Sequence, residues 1–90
     1  MTEEKKMRAK VRVGSVTPVQ LHEGRVVQER LVFHGVAKKT PYGADGHDED
    51  NTFARYSPSV NFDMMVMNPA LIGTFTPGDT FYVDFIPTEQ

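Results

Sequence analysis

The feature that most constrains this chain is a two-residue alternation of side-chain character that recurs along it. In ERLVFHGVAK, Leu31, Phe33, Gly35 and Ala37 share one side, while Val32, His34, Val36 and Lys38 share the other. A period of two belongs to the β-strand, whose successive side chains point to opposite faces. The same period appears at Val11 and Val13 around Arg12. It returns where Val60, Phe62, Met64 and Val66 interleave with Asn61, Asp63 and Met65, and where Phe81, Val83 and Phe85 interleave with Tyr82 and Asp84. TFARY adds a short further strand, closed by Ser57 and Pro58.

Turn-forming residues separate these segments. Pro18 cannot donate to a ladder and marks an edge or a strand end. Glu23 and Gly24 read as a turn, and KKTPYGADGHDEDN as a long loop punctuated by Pro41, Gly43 and Gly46. NPALIG suits a single helical turn, with Asn68 as cap and Pro69 at the first helical position. Pro77 and Gly78 sit at the centre of a tight turn. The expected class is therefore all-β: a small β-barrel or β-sandwich of about five strands, with one short helical turn and an extended N-terminal arm. Closing the sheet would remove its aggregation-prone edges.

Ninety residues fit one domain, read as residues 10–88 behind a flexible arm at 1–9. In the arm, Glu3 and Glu4 precede Lys5, Lys6 and Arg8, a spacing that supports a helical turn on binding. Apolar residues at 39% and charged residues at 24% suit a globular protein and argue against wholesale disorder. So short a chain buries a small share of its surface, and it has no cysteine for a disulfide or thiolate zinc site. Both points favour stabilisation by oligomerisation. The opening MTEEKKMRAK is too polar for the apolar stretch of a signal peptide, and no run reaches the length of a membrane span. Assembly in the cytoplasm, without a membrane partner, is the expectation.

Charge is unevenly distributed. Residues 1–40 carry nine Lys or Arg against four Asp or Glu, whereas residues 41–90 carry Arg55 against eight acids. If the asymmetry survives folding, opposite poles steer packing against copies or partners. The alternative is a solvated surface whose charges mix in three dimensions.

The acidic stretch YGADGHDEDNTFARYSPS invites a metal reading, which the spacing does not support. An EF-hand loop needs glycine at its sixth position; counting from Asp45 puts Asp50 there, and counting from Asp48 puts Phe53 there. Asp and Asn side chains instead hold turns by accepting backbone N–H bonds. The loop thus reads as an ordered surface segment and a candidate protein contact through Asp48, Glu49, Asp50, Phe53, Arg55 and Tyr56. Aromatic residues and Arg are favoured interface anchors. Lys5, Lys6 and Arg8 of the arm are candidates of the same kind, as are Met65 and Met67, whose flexible thioethers adapt to irregular contacts.

His22, His34 and His47 lack the spacing of a metal motif, and neither a nucleophile elbow nor a phosphate-binding glycine loop is present. No catalytic residue, metal or cofactor is expected. Single-stranded nucleic-acid binding by a five-stranded barrel of the OB type would need a basic groove with exposed aromatics. Lys10, Arg12, Lys38 and Lys39 supply a basic side, but the aromatics follow inward positions. Nucleic acid is the weaker alternative.

Three segments, MRAKVRVGSV, ADGHDEDNTFARYSPS and NPALIGTFTPGDTFYVDFIP, together resemble small virion structural proteins of tailed bacteriophages, of the capsid decoration or cement type. The resemblance implies a non-enzymatic protein on the outer surface of the capsid, bound at junctions between major capsid subunits. It implies a β-rich body with an extended arm, self-associated as a dimer or trimer and assembled in the host cytoplasm. A tail or connector component is the alternative placement.

Overall fold

Alternating side chains at four places produce four strands in the computed structural model, which describes residues 4–89. These are β1 (Met7–His22), β2 (Arg25–Gly35), β3 (Asn61–Val66) and β4 (Thr80–Phe85). They form one antiparallel sheet in the order β3-β2-β1-β4. The expected barrel or sandwich does not form: β3 and β4 remain as edges, and no second sheet lies across from them among the described residues.

The fifth strand expected at TFARY is also absent. That segment contributes only an isolated bridge between His47 and Arg55. Its neighbours Asp48 and Asn51 draw the local N–H groups into turns, which competes with ladder pairing. No helix forms among the described residues. In place of the expected helical turn, Asn68 nucleates linked turns, its Oδ1 accepting the Ala70 N–H at 3.0 Å and its carbonyl accepting the Leu71 N–H at 2.9 Å.

Glu23 and Gly24 make the β1–β2 turn at the place their sequence suggests. Both lie at positive φ, 53° and 77°, the I′ geometry whose twist matches a tight hairpin. This hairpin is the spine of the molecule, and it outruns its neighbours. β4 pairs only with Met7–Arg12 of β1, and β3 only with Glu29–His34 of β2. Past Arg12 β1 is an edge, so the missing N–H of Pro18 breaks no second ladder, and residues 19–28 project beyond both neighbours as a two-stranded ribbon.

A bulge at Gly14 shifts the register between Val13 and Ser15. The extra residue resets the alternation, which brings Val16 opposite Leu31, on the side already occupied by Val11 and Val13. Ala9, Val11, Val13, Leu31, Phe33 and Val66 form the buried core, all on that one face. Val60, Ile72 and Phe75 pack on it from the loops. Gly35 leaves room for this cover, since a Cβ there would stand 3.0 Å from Cγ1 of Val60.

The sheet is strongly curved. Phe62 of β3 and Phe85 of β4 come from opposite edges, which in a flat sheet would be about 14 Å apart. Their rings nevertheless stack at 6.3 Å between centroids. Even so, the Cα extents are 55 × 35 × 15 Å, the shape of a single curved layer.

The segment expected to be a free arm is partly structural. Met7, Arg8 and Ala9 pair with Phe85, Asp84 and Val83 of β4, and Ala9 is buried. The Lys6 N–H donates to the Phe85 carbonyl at 2.8 Å. Residues 1–3 of the expected arm lie outside the described residues.

Candidate interaction surfaces

Two surfaces emerge, the loop between β2 and β3 and the apolar face of the sheet. The loop begins where β2 ends at Gly35 and leaves the first residues of β1 without a ladder neighbour on that side. Loop residues fill the gap. Thr52 exchanges backbone and side-chain bonds with Arg8, its N–H donating to the Arg8 carbonyl at 3.0 Å and its Oγ1 accepting the Arg8 N–H at 2.9 Å. Asn51 Oδ1 accepts the Lys10 N–H at 2.8 Å, and its Nδ2 donates to the Val36 carbonyl at 2.8 Å.

Asp48 holds Asn51 in place. Both side chains are 0% exposed. Asp48 accepts from the Asn51 side chain, from the Asn51 and Asp50 backbone N–H groups, from the Lys38 N–H and from the Tyr42 hydroxyl. Burial pushes its carboxyl upward, but these donors outweigh burial and hold it below its ordinary value. The same burial, with the bond to Asp48, raises the Tyr42 hydroxyl. Asp48 was among the sequence-based contact candidates. It is corrected to an internal hub, because a carboxylate with no exposed surface and five donors has nothing left to offer a partner.

The other loop candidates are at the surface, most of them engaged. Asp50 accepts the Tyr82 hydroxyl at 3.0 Å and lies 3.6 Å from the Lys10 ammonium, and Glu49 takes Lys38 at 3.2 Å. Arg55 donates to the Asp45 carbonyl at 2.6 Å, and Phe53 projects outward. Tyr56 is half-exposed; its hydroxyl donates to the Ala44 carbonyl at 2.7 Å while its ring packs against Tyr42.

Arg8 forks onto Asp84 at 2.7 and 3.1 Å with its guanidinium 4.2 Å from the Tyr82 ring centre. That bond holds Asp84 below the usual carboxylate range. Lys5 lies 3.8 Å from the same carboxylate, and Lys6 is exposed. On the same polar face Arg30 forks onto Asp63 and lowers its carboxyl likewise. Each of these pairs joins a base from residues 1–40 to an acid from residues 41–90. Strand pairing brings Arg8 to Asp84 and Arg30 to Asp63, and the β2–β3 loop brings Asp50 to Lys10 and Glu49 to Lys38, so bases of the first half meet acids of the second.

Met65 stands on this polar face beside Arg30, whereas Met67 lines an open crevice of about 650 Å³ with His22, Val27 and Ile72. They do not form one methionine patch.

The apolar face supplies what sequence reasoning missed. Phe81, Phe85 and Met64 alternate inward as expected, yet they remain 40%, 37% and 47% exposed. Phe33, Phe75 and Phe81 meet edge-on or tilted, with centroids 5.5–6.4 Å apart. With Val11, Phe62, Met64 and Val83 they line an apolar cleft of about 250 Å³. Alternation reveals which side of a strand is apolar; it carries no information about whether a second layer covers that side. No group of three or more His, Cys, Asp or Glu side chains converges into a metal site among the described residues. No family model, curated protein or solved structure matches the chain.

Proposed function

We propose that this chain is a non-enzymatic assembly subunit of the capsid decoration type that its sequence resembles, completed by neighbouring polypeptides and serving to tie shell subunits together. The observation that carries the reading is the half-covered apolar face. A sheet with one apolar side needs a second layer, and here Val60, Ile72 and Phe75 from the loops provide only part of one. Exposed apolar patches of this kind mark interaction sites. A small domain also gains stability when association adds buried surface. On a symmetric shell, repeated modest contacts reinforce one another.

The projecting ribbon at residues 19–28, with Val19, Leu21 and Val27 exposed, gives the subunit reach beyond its core. Of the basic side Lys10, Arg12, Lys38 and Lys39, Lys10 and Lys38 are paired with carboxylates, which lowers the positive charge free for a phosphate backbone. The test is to mix purified protein with isolated bacteriophage heads that lack it. Saturable binding, weakened by Phe81→Glu, is expected. Absence of saturable binding would overturn the proposal.

A further inference from the structure

On the polar face of the sheet one row of side chains runs across all four strands. Asn61 of β3 pairs with His34 of β2, His34 with Arg12 of β1, and Arg12 with Thr80 of β4. All four are exposed, and neighbouring strands lie about 4.8 Å apart, so they stand side by side. We infer that Arg12, flanked by His34 and Thr80, receives a carboxylate from an acidic side chain of a protein partner; the inference rests on the assembly reading above for the source of that carboxylate.

Three observations support this ligand. The first is an unmatched charge. Within the four-stranded part of the sheet, β1 and β2 place Arg8, Lys10, Arg12 and Arg30 on this face. Arg8 takes Asp84, Lys10 takes Asp50 and Arg30 takes Asp63, whereas Arg12 has no carboxylate partner among the described residues. Where β4 sets Asp84 opposite Arg8, it sets only Thr80 opposite Arg12. Asp79, the residue before Thr80, accepts the Thr76 N–H at 3.1 Å instead.

The second is local geometry. The bulge at Gly14 gives the His34 ring its place, since a Cβ at residue 14 would lie 3.0 Å from His34 Nδ1. The imidazole therefore lies against β1 two residues from Arg12, and it supplies an N–H in either protonation state. On the other side, Lys10, Thr80 and Tyr82 line a hollow of about 200 Å³ that opens at Arg12's β4 partner. Arg12 thus has donors on both sides and room beside it.

The third is the match of ligand to site. A guanidinium fork fits the two oxygens of a carboxylate. This face already uses that pairing twice, at Arg8 with Asp84 and at Arg30 with Asp63. One unmatched charge suits a monoanion, whereas a nucleic-acid backbone calls for several.

The test titrates isotope-labelled, full-length protein with acetate, with a blocked peptide containing a single glutamate, and with inorganic phosphate, each against chloride at equal ionic strength. Acetate and the peptide are expected to shift the NMR signals of the Arg12 Nε–H, His34 and Thr80 saturably. Arg12→Gln should weaken that binding at least about fivefold, through loss of the charge-assisted fork. Arg25→Gln, on the exposed ribbon, should leave it unchanged. Shifts no larger than those with chloride, equal binding by Arg12→Gln, or tighter binding of phosphate than of either carboxylate would overturn the inference. Bacteriophage heads separate the two readings. If carboxylates bind at Arg12 but no head takes up the protein, the site stands and the capsid role falls. If heads bind the unaltered chain and Arg12→Glu alike, the assembly reading stands and the Arg12 contact falls.

Discussion

Asn51 Oδ1 accepts the Lys10 N–H at 2.8 Å, so a loop side chain occupies the ladder position that β2 vacates after Gly35. The amide's other end donates to Val36, which spans the gap between the diverging strands. One buried side chain therefore closes the sheet where its backbone partner runs out.

Asn51→Ala should remove that closure. It strands the Lys10 N–H and the Val36 carbonyl in a dry site, each worth roughly 1–3 kcal/mol when unsatisfied. A loss of about 3 kcal/mol in urea denaturation is expected, together with faster amide exchange at Lys10. An unchanged midpoint would show that the loop is not structurally coupled to β1.

Asp48 makes stability depend on acid. Its folded-state carboxyl is held below the ordinary value of 3.8 by the Asn51 amide, the Asp50 and Lys38 N–H groups and the Tyr42 hydroxyl, in spite of burial. A lowered folded pKa contributes stability that is complete above the unfolded value and disappears as pH falls through the folded one. Stability followed from neutral pH downward should therefore fall more steeply below about pH 3.8, and Asp48→Asn should flatten that limb. Asp84 and Asp63 are lowered too, by Arg8 and Arg30, but they are solvent-exposed and should add little.

Gly46 is the position where the loop tolerates no side chain. Its φ is +70°, and an added Cβ would lie 2.5 Å from the Tyr56 ring. Gly46→Ala combines left-handed strain of about 1–2 kcal/mol with displacement of that ring. Thermal melts should show a clear loss. Gly24→Ala, at φ +77° with nothing within 4 Å, should lose only the strain.

The ribbon at residues 19–28 should open independently of the sheet. It has no third strand beside it and its Val19, Leu21 and Val27 are exposed, which places it at the low-stability end of the molecule. Amides of residues 19–24 should exchange much faster than those of Val11, Val13 and Leu31. Equal protection would mean that another surface holds the ribbon.

The strands of this protein were legible in its residues because alternation is a local property. Val11 and Val13, Leu31 and Phe33, and Phe81 and Val83 declare their shared faces without reference to the rest of the chain. The turns at Glu23-Gly24 and Pro77-Gly78 are equally local, since they depend on which residues accept positive φ. The strand expected at TFARY was not decided locally. Its alternation is too short to outweigh the turns that Asp48 and Asn51 impose.

Tertiary structure alone decided that Asp48 is a hub and not a contact, and which bases of the first half meet acids of the second. It also decided that the sheet stays open with its aromatics half covered. Lys10 meets Asn51 across 41 residues of chain, and Arg8 meets Asp84 across 76. Partners so distant are chosen by strand order and by where β2 runs out, and no short-range pattern encodes either.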